Sequence, residues 1–238
     1  MSNFILRQYE RITNDESSIF QKHLEEFAFD LRVAAPAIVQ SVDYENQTID
    51  VKIALREQNL INKETQELEA TEIPLLPGVP FFILSGGDYN ITFPIKEGDE
   101  CLVIFADMPK DSWWQNGDIQ DPIKDARRHD LSDGFALIGF RSQPEKLENY
   151  SEDSFQVRNK DGSVYVELKD DDISLYTENG NISAECKGEL TIKADKIKLD
   201  APSGIELTGN SQTKIDGKTF LQHMHSNGNE GANTGAVV

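Results

Sequence analysis

Two histidines near the end of the chain have the residue type and spacing of metal ligands. His223 and His225 stand in the stretch LQHMHSNGNEGANTGAVV, separated by Met224. Alternate residues of an extended strand point to the same side, so the two imidazoles should project together. Imidazole nitrogen is a common ligand of transition metals. Two ligands do not complete a metal site, so further ligands have to come from elsewhere.

The segment before the histidines indicates where those ligands arise. Residues 150–215 contain almost no helical pattern and show two-residue alternation broken by polar turns. This alternation produces thin apolar stripes. In roughly 65 residues, stripes this thin supply too little hydrophobic core for one chain to be stable alone. They predict one third of an intertwined trimeric β-helix, in which the stripes face a shared axis and strand edges are paired between chains. A disordered acidic linker is the alternative. The residues that share a face are Val164, Val166 and Leu168; Ile173 and Leu175; Ile182, Ala184 and Cys186; Leu190, Ile192 and Ala194; Ile197 and Leu199; Ile205 and Leu207; and Ile215.

A trimer would supply the missing ligands by symmetry. Three copies of His223 and His225 place six imidazoles around one point, an octahedral donor set that suits Fe(II) or Ni(II) better than zinc. The glycines and asparagines that follow permit the tight turns of a cap. A pair of surface histidines near a frayed terminus is the alternative. A cupin metal motif fits only in part, because its later glycine would fall at Val237.

The composition excludes several functions. The chain has 238 residues and a net charge of −19, which argues against a nucleic-acid groove or a polybasic membrane-binding patch. The opening stretch MSNFILRQYERI lacks the apolar core of a signal peptide, and no run has the length of a transmembrane helix. Cys101 and Cys186 lie in unlike contexts, so we expect both to be reduced, in a chain made in a reducing cytosol.

The first 33 residues predict a helix. Thr13 and Glu16 have the spacing of a capping box. An apolar stripe then recurs at helical spacing, formed by Phe20, Leu24, Phe27 and Leu31. The stripe predicts either a helix packed on its own domain or a helix that docks on a partner.

Residues 34–145 predict a small barrel of the OB-fold type. The stretch AIVQSVDYENQTIDVKIAL indicates two strands around the turn YENQ, and FALIGF closes the region. In ECLVIFAD both faces are apolar, which predicts a strand buried on both sides. We interpret Trp113 and Trp114 as barrel-edge or trimer-interface aromatics. We interpret His129 as a hydrogen-bonding loop residue.

In these features the chain resembles the central spike, or cell-puncturing, proteins of contractile phage tails and tail-like bacteriocins. ITFPIKEGDECLVIFADMPKDSWWQNG and RRHDLSDGFALIGF are similar to the OB-fold base, residues 150–215 to the trimeric β-helix, and HMHSNGNEGANTGAVV to the metal-binding tip. The resemblance implies a homotrimer with one iron ion held by His223 and His225 of all three chains. The ending TGAVV lacks an expected proline, which leaves the detail of the apex open.

The resemblance also implies a domain order and a function. We expect an all-β chain with a short N-terminal helix, in the order 1–33 docking helix, 34–145 OB-fold, 146–216 β-helix shaft and 217–238 tip. Its role would be structural and non-enzymatic, in a virion or tail-like particle. It would attach to the baseplate hub and tail tube and pierce the host cell envelope on sheath contraction. A receptor- or glycan-binding tail fibre protein is the alternative.

Overall fold

The computed structural model describes residues 16–61, 68–121, 124–209 and 213–219. The chain divides into two compact units, Met1–Gly180 and Asn181–Val238. Most of the described regular structure is β-strand, preceded by one helix of 15 residues. The predicted all-β class with a short N-terminal helix is therefore confirmed. Within these described ranges, no helix has the length and apolar character needed to cross a membrane.

Helix α1, Glu16–Asp30, is the first described element. The N–H of Leu31 donates to the carbonyl of Phe27 at 3.0 Å and closes the last turn. The predicted N-cap residue Thr13 lies outside the described residues. Glu16, the other half of the predicted capping box, is the first residue of the described helix.

A five-stranded antiparallel sheet follows α1. Its strands, in spatial order, are β5 (Leu76–Pro80), β2 (Thr48–Ile53), β1 (Ala34–Asp43), β8 (Glu100–Phe105) and β9 (Gly134–Ile138). A parallel bridge joins Phe81 to Ala136, and the N–H of Phe82 donates to the carbonyl of Ala136 at 2.8 Å. The two outer strands are thereby brought together, and the sheet curls into a partly closed barrel. In chain order the strands of this region are β1 (Ala34–Asp43), β2 (Thr48–Ile53), β3 (Arg56–Ile61), β4 (Leu68–Glu72), β5 (Leu76–Pro80), β6 (Leu84–Gly86), β7 (Tyr89–Ile91), β8 (Glu100–Phe105) and β9 (Gly134–Ile138).

The stretch YENQ forms the turn between β1 and β2, as predicted. Asp43 accepts a hydrogen bond from the backbone N–H of Asn46 at 3.0 Å. Gln47 has a φ of 54°, a left-handed conformation that turns the chain back. Pairing resumes with Asp43 opposite Thr48. The turn therefore sets the register of the first two barrel strands.

The barrel core is built from alternate residues of its strands, because successive side chains of a strand point to opposite faces. The prediction that β8 is buried on both faces is wrong. Cys101, Val103 and Phe105 are buried, but Ile104 is exposed and Leu102 is only half-buried. The barrel has one interior, so only one face of β8 enters it. The buried hydrophobic residues are Ala37, Val39, Ile49, Val51, Ile53, Ile73, Leu76, Val79, Ile95, Cys101, Val103, Phe105 and Ala136.

A second, three-stranded sheet follows the barrel. Its antiparallel strands are β10 (Phe155–Arg158), β11 (Val164–Lys169) and β12 (Asp172–Thr177), with β11 in the centre. The unit after Gly180 contains a short hairpin of β13 (Lys214–Ile215) and β14 (Lys218–Thr219). In the described residues 181–209 no strand is paired within the chain. The intertwined trimeric β-helix remains a prediction.

Candidate interaction surfaces and the predicted metal site

The predicted metal ligands His223 and His225 lie outside the described residues. Asp216 and Gly217 join β13 to β14 with φ values of 51° and 73°, the left-handed pair that a two-residue hairpin turn requires. Among the described residues, no group of three or more His, Cys, Asp or Glu side chains is placed to hold a metal ion. The metal site therefore remains a prediction based on the residue types and spacing of the histidine pair.

The second sheet has one face made of apolar side chains, which we call the apolar sheet face. Val157, Val166 and Leu175 lie opposite one another across its three strands, as do Phe155, Leu168 and Ile173 in the next row. Val164 extends the face along β11. The exposed fractions run from 39% at Val166 to 74% at Ile173. Contiguous apolar surface of this kind marks an interaction site.

The opposite face of the same sheet is polar, and its groups are bonded to one another. Tyr165 stacks on Tyr176 with ring centroids 4.9 Å apart. Glu167 accepts hydrogen bonds from Ser154 and Gln156, each at 2.6 Å. The bond from Ser154, and next the bond from Gln156, hold the pKa of Glu167 below its ordinary value. The sheet is therefore amphipathic, and its apolar side is the side that still requires cover.

Arg158, at the end of β10, ties this sheet to the segment that follows the barrel. Its guanidinium donates to the carbonyls of Asn149 at 2.5 Å and Glu148 at 2.9 Å. It also donates to the carbonyl of Lys160 at 3.1 Å. Gly162 has a φ of 78°, and a Cβ there would lie 2.7 Å from the Arg158 guanidinium. Sequence patterns did not reveal this contact, because carbonyl acceptors leave no residue-type signal.

The segment 181–209 keeps the alternation of a strand without a strand partner among the residues that the structure describes. Four of the predicted strands fall here, and no described residue of this segment is in a strand. Alternation predicts which side chains share a face, but a strand also needs a neighbour for its backbone groups. The large side chains are all more than half exposed. They are Ile182, Leu190, Ile192, Ile197, Leu199, Ile205 and Leu207.

The predicted stripe of α1 is also exposed. Phe20 and Phe27 are each 65% exposed and Leu24 is 51% exposed. Phe29, on the other side of the helix, lines a groove together with Val33 and Leu55 at the start of the barrel. Leu31, the last residue of the predicted stripe, lines the same groove. The part of the stripe from Phe20 to Phe27 is exposed, and docking on a partner remains the prediction for that part.

A buried carboxylate organises the loop between β8 and β9. Asp133 is only 1% exposed. It accepts hydrogen bonds from Nε of Arg127 at 2.8 Å and from the backbone N–H of Lys110 at 3.0 Å. The bond from Asp133, followed by that from Asp111, raises the pKa of the Arg127 guanidinium. The pairing holds both sides of the loop together.

The loop between β8 and β9 also carries the two tryptophans that the sequence analysis interpreted, Trp113 and Trp114. Trp113 belongs to helix α2, Asp111–Asn116, and packs edge-on against Phe135 with centroids 5.8 Å apart. Trp113 and Trp114 remain 49% and 40% exposed. The interpretation of Trp113 as a barrel-edge aromatic is consistent with its contact with β9. The pairing of Asp133 with Arg127 was missed because the two residues are six positions apart and neither belongs to a recognised motif.

His129 contacts the same loop mainly through its backbone. Its N–H donates to the carbonyl of Ala106 at 3.2 Å, and its φ is 48°. Nε2 lies 3.6 Å from Oδ1 of Asp107, too far for a hydrogen bond between side chains. The hydrogen-bonding role predicted for His129 is thus performed by its main chain.

The described chain therefore combines a barrel with a sheet whose apolar face is exposed. Residues 35–139 match the family model described as phage protein Gp138 N-terminal domain. The match runs from the second residue of β1 to the residue after β9, so it covers the barrel and its loops. No curated protein matches the chain. The match suggests a phage structural protein that is associated with the virion.

Proposed function

We propose that this chain is the central spike of a contractile tail and acts as a homotrimer. The apolar sheet face carries the proposal, because seven apolar side chains are exposed on one side of a sheet whose other side is polar. A threefold arrangement turns three such faces toward one axis and covers them all. The phage domain that precedes the sheet supports a tail protein.

The barrel would be the base of the spike. Its five principal strands, and the closure between Phe81 and Ala136, fit an OB-fold. In the proposal this base and α1 attach to the baseplate hub and tail tube. The segment 181–209 would continue the shaft by pairing with strands of the other two chains. Sheath contraction would drive the shaft through the host cell envelope, a mechanical role that requires no catalysis by this chain.

His223 and His225 would hold an iron ion at the tip. An HxH pair on an extended segment offers two imidazoles on one side, and three copies offer six nitrogens, a donor set that fits an octahedral metal. When bound, iron would supply cross-links between the three chains. The histidines would bind it through neutral imidazoles, so acidification should release the metal.

Mass and metal content test the proposal together. Light scattering after size-exclusion chromatography should give the mass of three chains, and elemental analysis should give one iron per three chains. A monomeric chain would contradict the spike. A trimer with one iron in every chain, or with none after native loading, would contradict the six-histidine site and leave the trimer standing.

A receptor- or glycan-binding tail fibre protein is the second candidate. The half-exposed Trp113 and Trp114 favour it, because aromatic side chains provide surfaces on which sugars stack. A glycan array separates the two candidates: specific binding that is lost in Trp114→Ala would support the fibre, whereas a trimer with no glycan binding supports the spike.

A further inference from the structure

The stripe of α1 is an interaction surface in its own right. Phe20, Leu24 and Phe27 follow one another at spacings of four and three residues, which places them on one side of a helix. All three are at least half exposed. An isolated helix of 15 residues is marginal in water. A surface that covered the stripe would stabilise the helix further.

The charges beside the stripe indicate the chemistry of that surface. Helix α1 contains four carboxylates, of Glu16, Glu25, Glu26 and Asp30, and a single lysine, Lys22. Lys22 lies 3.8 Å from Glu26. The border of the stripe is therefore acidic, and lysine or arginine side chains on a partner would complement it.

The carboxyl end of α1 requires a cation for a second reason. The last turn holds no basic residue, and Asp30 stands there in the negative end of the helix dipole. Arg32, the next cation along the chain, forms an ion pair with Glu57 of β3. A cation from outside α1 would therefore stabilise this end of the helix.

A second copy of α1 fits these features poorly. Three copies packed along their stripes would bring twelve carboxylates together against three lysines, and like charges in such a bundle repel. The stripe from Phe20 to Leu31 also spans fewer than two heptads, whereas coiled coils need three or four. A different protein is the better occupant.

The geometry points to α1 as a docking helix for an apolar groove bordered by lysine and arginine on another tail protein. The inference rests on the proposed function, in which that protein is the hub or tail tube. Phe20, Leu24 and Phe27 would fill the groove, as the anchors of an amphipathic helix do. Glu25, Glu26 and Asp30 would meet its basic border.

Photo-crosslinking of the full-length chain tests the inference. The probe p-benzoylphenylalanine replaces Phe27 in one sample and Lys22, on the opposite side of α1, in a matched control. Each chain is irradiated alone and when co-expressed with the tail proteins of its own particle. We expect Phe27→p-benzoylphenylalanine to give an adduct with another tail protein, at a peptide that carries lysine or arginine beside apolar residues, and the control to give little.

The charge requirement is tested on the same adduct. Raising the salt concentration should lower its yield, and the triple variant Glu25→Lys, Glu26→Lys, Asp30→Lys should lower it by about fivefold or more. Lys22→Glu should leave the yield unchanged or raise it. If the triple variant does not fold, salt titration of the chain that carries only the probe at Phe27 tests the charge requirement instead.

Three results would overturn the inference: adducts between copies of this chain in the purified sample, a tail-protein adduct no stronger than that of the Lys22 control, or a yield that does not respond to salt. Light scattering of each purified chain distinguishes this from failure of the proposed function. A trimer that gives no adduct would refute only the docking role of α1, whereas a monomer would refute the proposed spike function.

Discussion

The barrel and the second sheet use the same strand pattern and differ in where their apolar side chains lie. In the barrel Val39, Ile49 and Val51 are completely buried. In the second sheet Val166 and Leu175 are 39% and 59% exposed. Closure of the barrel accounts for the difference. The barrel curls around its own core, whereas no described residue of the same unit covers the apolar face of the three-stranded sheet. The barrel therefore buries its apolar side chains within one chain, and the sheet leaves its own exposed, as the proposed trimer would require.

Val166→Asp should have the largest effect on this contrast. Val166 lies between Val157 and Leu175 in the middle of the apolar sheet face. A carboxylate there would be buried without a partner in the proposed trimer. We expect the mass measured by light scattering to fall from three chains to one while the barrel stays folded.

Ser174→Asp is the matched control for that variant, since Ser174 lies on the polar face of β12 opposite Glu167. It should leave the trimer intact. Equal dissociation of both variants, or of neither, would refute the assignment of the apolar face as the interface.

Ile49→Ala and Leu175→Ala should distinguish the two kinds of burial. Ile49 is completely buried in the barrel, so its truncation should lower the free energy of unfolding by about 2–5 kcal/mol. That loss should be the same at every protein concentration. Leu175→Ala should instead destabilise in a way that depends on concentration, because its burial requires association. Chemical denaturation at two concentrations more than tenfold apart measures both, and a concentration-independent Leu175→Ala would count against the trimer.

Asp133→Asn should have a smaller effect, confined to the barrel. It removes a charge that accepts from Arg127 and from the backbone of Lys110, so we expect a loss of about 1–3 kcal/mol in urea unfolding. Asp111→Asn is the control, since its carboxylate is half exposed and its ion pair with Arg127 should contribute less than about 1 kcal/mol. Similar losses of unfolding free energy in the two variants would contradict the larger contribution assigned to the buried Asp133 carboxylate.

Cys101 gives the barrel a dependence on alkaline pH. Burial raises the pKa of its thiol from 9.0 to about 11. Since the protonated thiol is favoured in the folded state, its contribution to stability is complete below pH 9 and is lost as the pH rises to about 11. The free energy of unfolding of the wild type should fall over this range more steeply than that of Cys101→Ala. Parallel curves would show that the thiol is not buried in solution.

The smallest expected effect is a change in the alkylation rate of the Cys186 thiol. It is exposed in the single chain, and the β-helix prediction places its three copies near the threefold axis. Alkylation followed by mass spectrometry should therefore be slower in the wild-type trimer than in dissociated Val166→Asp. Equal rates would argue against that register of the shaft.

The sequence was most informative where a pattern is complete within a few residues. The turn YENQ, the alternation of β11 and β12, and the stripe of α1 are all local, and the structure shows each of them. The exposure of Ile104 was not predictable, because an apolar residue does not reveal which layer will cover it. The pairing of Asp133 with Arg127 depends on how a loop folds back. The partners of residues 181–209 and of the histidine pair belong to other chains in the prediction, so one chain cannot display them.

Arg158 has a mechanical consequence. Its guanidinium holds the carbonyls of Glu148, Asn149 and Lys160, so the segment after the barrel is fastened to the end of β10 at several points. A joint made this way resists bending, because bending it would break several charge-assisted hydrogen bonds at once. A compressive force along the second sheet would therefore be transmitted to this segment. Lysine at this position would keep the charge but lose the planar fork, and it would turn the stiff joint into a hinge.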